Sequence, residues 1–195
     1  MPAHESFDPD LFPLEADLSR ADVRVLHRLC ADKRVVEIGC GGSTVLLAQF
    51  CREVRSFDTS ADWIERAQRR LLREPAAVQA VVLGISAYAP GAIPEVLPEA
   101  DVYFVDGICE DRPAWVRAVV TRRLAPLVVH HDSRSSCMTT LHEGLPYPVT
   151  LALQSLEYHV DGSNMAVLRC GAPVVYENWN ETERAHRLPF LGGTP

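Results

Sequence analysis

The chain has 195 residues, of which 47% are hydrophobic and 23% are charged, and this is the composition of one globular domain with its own core. Its formal net charge of -7 excludes the overall basic character of proteins that hold nucleic acid by its phosphates. We also expect no membrane partner, because no apolar run approaches the ~20 residues of a membrane span.

The two ends of the chain lack the pattern of packed elements. Residues 1–17 contain three prolines and scattered apolar side chains, and residues 176–195 are mostly polar. We interpret them as an N-terminal and a C-terminal arm flanking a single domain over residues 18–175. The arms are expected to cover a site or to join copies of the chain in a homo-oligomer.

Within the domain, short apolar runs alternate with segments of helical periodicity. Helical spacing begins at Leu18, with Ser19 as the expected N-cap, and a later helix has Pro113 in its first turn. The predicted strands are residues 34–38, 53–57, 78–85, 101–105 and 127–131, and the later predicted helices are residues 43–50, 61–73 and 113–124.

The last part of the domain has a different rhythm. Two strand-like runs, residues 149–160 and 165–170, flank an Asp-Gly-Ser-Asn turn that is typical of an antiparallel hairpin. Five βα units followed by a hairpin predict a doubly wound α/β fold. We expect a mainly parallel, seven-stranded sheet with helices on both faces and an antiparallel C-terminal hairpin.

Glycines and acids follow the predicted strands, where ligands of doubly wound sheets bind. Gly39, Gly41 and Gly42 follow the first strand, and glycines there let backbone amides approach a ligand. Asp58 ends the next strand and can accept hydrogen bonds from a ribose diol. Asp106 follows the fourth strand in the same way.

Two cofactor classes use such a turn. The nicotinamide dinucleotide fingerprint requires a third glycine where this chain has Thr44, and Glu37 would repel a pyrophosphate. The sulfonium and ammonium of S-adenosylmethionine are instead stabilised by acidic neighbours such as Glu37 and Asp106. The electrostatics therefore favour S-adenosylmethionine.

Residues 36–44, VEIGCGGST, resemble the first motif of class I S-adenosylmethionine-dependent methyltransferases, in the variant of a small bacterial methyltransferase-like subgroup. Residues 102–107, VYFVDG, and residues 128–134, VVHHDSR, are similar to that group's fourth and fifth strand motifs. The resemblance covers roughly residues 20–170. It implies S-adenosylmethionine as the cofactor.

The resemblance also implies a role for individual side chains. Asp58 would bind the ribose hydroxyls, and Thr59 and Ser86 would flank the adenine. The residues that would hold the methionine moiety are Glu37, Gly39, Cys40, Gly41, Gly42 and Ser43, with Asp106 as a further cofactor-binding residue.

These observations predict methyl transfer from S-adenosylmethionine to an oxygen or nitrogen of a small molecule. The candidate catalytic residues are Asp106, His131 and Asp132, with Asp106 or His131 as a general base. His130 and His131 should point to opposite sides of their strand, so one of them is expected in the core. Trp63 is expected to be a core residue rather than a ring stacked on adenine.

Alternatives remain open at this point. Asp106 and Asp132 match the two carboxylates of metal-dependent catechol-type O-methyltransferases, but Ser133 stands where those enzymes have an asparagine. A divalent metal is therefore not favoured, and no metal ligand is predicted. A module that binds the cofactor or its demethylated product without catalysis is the alternative function, and a nicotinamide oxidoreductase ranks third.

The six cysteines show no CxxC pair and no framework spacing. We expect them to be reduced, as in a cytoplasmic protein, and the first residues lack the pattern of a secretory signal. The sequence therefore predicts a cytoplasmic location.

Overall fold

The computed structural model describes residues 7–13, 18–73, 82–132, 153–158 and 160–170. Its helices are α1 (Arg20–Cys30), α2 (Gly42–Leu47), α3 (Ala61–Arg73) and α4 (Arg112–Arg122). Its strands are β1 (Arg34–Ile38), β2 (Glu53–Asp58), β3 (Val82–Ala87), β4 (Val102–Val105), β5 (Leu127–His131), β6 (Leu153–Tyr158) and β7 (Met165–Cys170).

These strands form one seven-stranded sheet in the order β3-β2-β1-β4-β5-β7-β6. Strands β1 to β5 pair in parallel, whereas β7 is antiparallel to both β5 and β6. The strand order reverses direction between β1 and β4, and such a switch point opens a crevice at the carboxyl ends of the strands. The predicted mainly parallel α/β sheet with an antiparallel C-terminal pair is confirmed.

Apolar side chains cover both faces of the sheet, because alternate residues of each strand point in opposite directions. Val36 and Ile38 of β1 pack in a cluster with Trp115 of α4, while Val35 packs in a second cluster with Leu26 of α1. Helices therefore lie on both faces, as predicted. The near-continuous apolar strands are typical of a parallel sheet buried on two sides.

The ends of the helices follow from capping chemistry. Ser19 caps α1: its hydroxyl accepts from the backbone N–H of Asp22 at 3.2 Å, while the Asp22 carboxylate accepts from the Ser19 N–H at 2.6 Å. Pro113 lies in the first turn of α4, where its missing N–H costs nothing. Both expectations about helix starts are confirmed.

A loop rather than a helix joins β3 to β4, as the proline-rich segment between them predicts. Residues 88–101 contain no helix, and the three prolines Pro90, Pro94 and Pro98 explain this, since proline removes a helix hydrogen bond and clashes with the preceding turn. The helix predicted for residues 43–50 is shorter, ending at Leu47. The predicted strand residues 78–81 and 149–152 lie outside the described residues.

Two further expectations concern the termini and the cysteines. In the described stretch 7–13, Phe12 is buried and Phe7 packs 4.9 Å from the ring of Phe50, so this part of the N-terminal segment lies on the domain. Residues 171–195 lie outside the described residues, and the division into arms stays a prediction.

Cys109 is disulfide-bonded, so the expectation of six reduced cysteines is wrong there. Disulfides are rare in cytoplasmic proteins, so this bond does not support the predicted cytoplasmic location.

Among the helices that the structure describes, none combines the length and the apolar character needed to cross a membrane.

Candidate functional site

A cavity of about 400 Å³ opens at the carboxyl ends of β1, β2, β4 and β5. It lies at the topological switch point, which is the position where open α/β sheets bind their ligands. Its lining residues are Leu18, Gly39, Cys40, Gly41, Gly42, Ser43, Asp58, Thr59, Ser60, Trp63, Asp106, Gly107, Ile108, Arg112, His131 and Asp132. Most of the residues predicted for the site are therefore brought together.

Gly39 allows the end of β1 to touch the end of β4. Its φ of 92° lies in the left-handed region, and a Cβ there would stand 2.5 Å from the carbonyl oxygen of Asp106. The backbone N–H of Asp106 donates to the Ile38 carbonyl at 2.7 Å. Only glycine fits here, and the close approach places the glycine turn beside Asp106.

Glu37 lies behind the glycine turn and is not among the residues lining the cavity. It is fully buried, and its carboxylate accepts hydrogen bonds from the hydroxyls of Ser43 and Thr44, each at 2.6 Å, and of Ser56. Burial raises the pKa of Glu37 and the three hydroxyls act to lower it, so that the pKa is about 7. These contacts indicate that Glu37 shapes the turn, and its predicted contact with the methionine moiety stays a prediction.

Asp58 joins the glycine turn to the end of β2. Its Oδ2 accepts from the backbone N–H of Cys40 and its Oδ1 from that of Ser60, both at 2.7 Å. Each carboxylate oxygen has a second lone pair, and Asp58 lines the cavity beside Thr59. The side chain is thus held in place with acceptor capacity left for a ligand.

Two residues do not lie where the sequence predicts them. Ser86 is exposed on the edge strand β3 and does not line the cavity. Trp63 is 45% exposed and lines the cavity near Gly41, so the expectation that it is a core residue is wrong. It shares a helical stripe with the buried Ala67 and Leu71, but α3 begins just after β2 ends, and its first turn lies beyond the sheet.

His131 lies in a group of carboxylates at the end of β5. Its Nδ1 is 3.0 Å from Oδ1 of Asp106 and 3.6 Å from Oδ1 of Asp132, and its Nε2 is 3.8 Å from Oδ2 of Asp22. Burial acts to lower the pKa of His131, but the carboxylates of Asp106, Asp22 and Asp132 raise it to about 10. The imidazole is therefore protonated at neutral pH, which argues against His131 as a general base.

His130 differs from its neighbour, as the alternation along a strand predicts. It is fully buried, does not line the cavity, and neither ring nitrogen has a hydrogen-bond partner among the described residues. Burial lowers its pKa to about 3, and the Arg112 charge acts in the same direction. His130 is a neutral core histidine.

Sequence reasoning missed three residues of this site. Asp22 comes from α1, Arg112 from the start of α4, and Asn164 from the turn before β7. The backbone N–H of Asn164 donates to Asp22 at 2.6 Å, and its side-chain amide donates to Asp132 at 3.1 Å. The capping-box spacing of Ser19 and Asp22 indicated a helix start, but no local signal connects these residues to the cavity.

Asp22 is fully buried, and its carboxylate is held on both oxygens. Burial acts to raise its pKa, but His131 and the hydrogen bonds from Ser19 and Asn164 outweigh burial and lower it to about 2. Asp22 is therefore ionised and forms the negative partner on the far side of the His131 ring.

Asp132 adopts a left-handed backbone with φ of 62°, which is uncommon for a residue with a side chain. Its carboxylate accepts from Arg112 at 2.7 Å and from Asn164 at 3.1 Å. Backbone strain of this kind costs about 1–3 kcal/mol and persists where surrounding contacts hold it, as they do here.

Comparison with solved structures finds this fold in methyltransferases. A methyltransferase-like protein from Silicibacter pomeroyi matches with a TM-score of 0.58 at 16% identity, over 90% of this chain and 97% of the other. The methyltransferase PaMTH1 of Podospora anserina, solved with S-adenosylhomocysteine, matches with a TM-score of 0.55 at 16% identity, over 71% and 72% of the two chains.

The O-methyltransferase TomG of Streptomyces achromogenes, solved with S-adenosylmethionine, matches with a TM-score of 0.51 at 19% identity, over 76% and 77% of the two chains. No protein-family model and no curated protein sequence matches this chain. At these identities the likeness is one of fold. The chain has the fold of the class I S-adenosylmethionine-dependent methyltransferases.

Proposed function

We propose that this chain is an S-adenosylmethionine-dependent methyltransferase acting on an oxygen or nitrogen of a small molecule. The observation that carries the proposal is one cavity bounded by the glycine turn, by Asp58 at the end of β2, and by Asp106 at the end of β4. Its volume of about 400 Å³ lies within the range of small-molecule sites. The structural neighbours are methyltransferases, which supports the same reading.

The charges around the cavity favour a cationic cofactor. The carboxylates of Asp58, Asp106 and Asp132 line it, whereas the cations Arg112 and His131 among its described lining residues are already paired with carboxylates. A sulfonium and an ammonium are stabilised by such a lining, and a pyrophosphate is repelled. This disfavours the nicotinamide oxidoreductase.

In the proposed complex, Asp58 accepts hydrogen bonds from the ribose hydroxyls, and Thr59 lies beside the adenine. The turn from Gly39 to Ser43 contacts the methionine moiety through its backbone. Asp106 lies next to that turn and attracts the ammonium. Trp63, on the first turn of α3, offers an aromatic surface at the same cavity.

The cofactor supplies a methyl group on a good leaving group, so the chain contributes mainly position. When bound, the cofactor would supply its methyl group to the acceptor's lone pair and keep the electrons of the broken carbon–sulfur bond on sulfur. The acceptor then loses one proton. His131 already carries a proton and Asp58 is assigned to the ribose. The proton therefore goes to Asp106 or Asp132, unless the acceptor binds already deprotonated.

A non-catalytic module that binds the cofactor or its demethylated product is the second candidate function. The observation that favours it is the closed ion-pair set around His131, which leaves few groups to take a proton. Homo-oligomerisation through the terminal arms and a cytoplasmic location remain proposals beside either function.

One experiment distinguishes the methyltransferase from the non-catalytic module. Calorimetric titration first measures binding of S-adenosylmethionine and S-adenosylhomocysteine to the full chain, and both functions require it. Incubation with methyl-labelled cofactor and a mixture of small metabolites then tests transfer. A labelled product that is lost in Asp58→Asn supports the enzyme, binding without product supports the module, and absence of binding contradicts both.

A further inference from the structure

The guanidinium of Arg112 lies between two carboxylates that follow neighbouring strands. Its Nη1 is 2.7 Å from Oδ2 of Asp132, and its Nη2 is 3.2 Å from Oδ1 of Asp106. Arg112 is only 6% exposed, although it lines the cavity. One buried cation therefore offsets part of the negative charge of two acids that would otherwise repel each other.

Backbone oxygens complete the surroundings of this guanidinium. Nε donates to the Gly107 carbonyl at 2.7 Å, Nη1 donates to the His131 carbonyl at 3.2 Å, and Nη2 donates to the Asp106 carbonyl at 3.4 Å. Together with the two carboxylates, five oxygen atoms face one cation. Carboxylate and carbonyl oxygens are the ligands that hard divalent ions take in proteins.

The same side chains also have the spacing of a metal site. Asp106, His131 and Asp132 each offer a ligand atom, and these atoms lie within 4.8 Å of one another. However, a divalent ion placed between the carboxylates would meet the Arg112 guanidinium at short range. Arginine cannot lose its charge in a protein, so this repulsion is not relieved by deprotonation. The residues present do not fit a metal ion.

We propose that Arg112 is the resident cation of this site, in the place where a divalent metal would bridge Asp106 and Asp132, and that its removal opens a divalent-cation site. Arg112 is a positioning residue: its planar fork orients both carboxylates at the cavity wall. That Arg112 lies between the two carboxylates does not depend on the proposed function. The consequence that methyl transfer needs no metal rests on that function.

The start of α4 explains how the chain places a cation here. Arg112 is the first residue of that helix, where the helix dipole disfavours positive charge. The two carboxylates and three carbonyls outweigh this cost. An arginine kept at an unfavourable helix end by five oxygen contacts is consistent with a specific role for its charge.

The test uses Mn²⁺ as the probe, with unbound ion measured by electron paramagnetic resonance. The wild-type chain is expected to leave the Mn²⁺ signal unchanged up to about 1 mM ion, whereas Arg112→Ala should bind about one ion per chain with a dissociation constant of roughly 10⁻⁴–10⁻³ M. Arg69→Ala, which removes an exposed arginine of α3, is the matched control and should behave as the wild type.

Location is tested by adding Asp106→Asn to Arg112→Ala, which should abolish the gained binding. If Arg112→Ala does not fold, Arg112→Gln replaces it, because the amide keeps a donor for the carbonyls while removing the charge. Mn²⁺ binding by the wild type that Asp106→Asn abolishes would overturn the proposal. So would a folded charge-removed variant that binds no ion.

A second readout separates this proposal from the proposed function. Titration with S-adenosylhomocysteine on the same samples reports whether the cofactor binds at all. Gain of Mn²⁺ binding without cofactor binding supports the resident cation and contradicts the methyltransferase. If the wild-type chain binds the cofactor and also binds Mn²⁺ at Asp106, the result supports the methyltransferase and contradicts Arg112 as the resident cation.

Discussion

Nδ1 of His131 lies 3.0 Å from Oδ1 of Asp106, and this contact joins the ends of β5 and β4 at the wall of the cavity. On the other side of the ring, Nε2 is 3.8 Å from the buried carboxylate of Asp22. An imidazole between two carboxylates is held in its charged form. Because His131 already carries a proton, it is disfavoured as a general base in proton transfer.

The charge of His131 predicts a pH dependence of stability. The pKa of the imidazole is about 10 in the folded chain and has its ordinary value of 6.5 in the unfolded chain. The stabilisation is therefore fully present below pH 6.5 and is lost as the pH rises through 10, on the order of a few kcal/mol. Urea unfolding of the wild type and of His131→Asn at pH 6, 8 and 10 measures it.

The difference in unfolding free energy between these two proteins should shrink steadily from pH 6 to pH 10. Titration of other groups cancels in that difference, because both proteins share them. A difference that stays constant over this range would show that His131 is neutral throughout.

Replacement of Asp58 should weaken cofactor binding without unfolding the chain. If Asp58 binds the ribose as proposed, Asp58→Asn removes a charge-assisted pair of hydrogen bonds worth roughly 2–4 kcal/mol, so we expect an affinity loss of about 30- to 1000-fold for S-adenosylhomocysteine. Calorimetric titration measures the loss. Asp62→Asn, an exposed carboxylate on α3, is the control for charge and should bind as the wild type. An unchanged dissociation constant in folded Asp58→Asn would remove Asp58 from the ribose site.

Gly39 and Gly84 make a matched pair for testing the close approach of β1 and β4. Gly39→Ala places a Cβ 2.5 Å from the Asp106 carbonyl oxygen at a φ of 92°, and we expect a loss of about 3 kcal/mol or more in unfolding free energy. Gly84→Ala meets no atom of the described residues within 4 Å and should change stability by less than about 1 kcal/mol. Chemical denaturation compares the two. Equal stabilities would mean that the turn can move away from β4.

Trp63 should report cofactor binding by its fluorescence. It is exposed at the cavity, with the Arg66 guanidinium 5.1 Å from its ring centroid, whereas Trp115 is fully buried. S-adenosylhomocysteine is expected to change the emission of the wild type, and Trp63→Phe should lose most of that change. Removing the ring in Trp63→Ala should weaken binding by about 2- to 10-fold, the worth of one aromatic contact. An emission change that persists in Trp63→Phe would place the ligand away from α3.

Much of the cavity could be predicted from local sequence. The glycine turn, Asp58 and Asp106 each follow an apolar run, and parallel strands bring their carboxyl ends to one edge of the sheet without further information. The strands themselves were visible because both faces of a parallel sheet are apolar. The loop between β3 and β4 has an equally local cause, because its three prolines disfavour a helix.

The sequence by itself thus determined the alternation of elements, the turn after β1 and the acids at the strand ends, because each depends on residues close together in the chain. Only the tertiary structure decided that Asp22, Arg112 and Asn164 surround His131 and Asp132. Asp22 and Asn164 are 142 positions apart, and their contact exists only once α1 and the β6–β7 turn pack against the same strand end. The charge of His131 and the place of Arg112 follow from that packing, since the protonation of a buried group depends on which charges surround it in space.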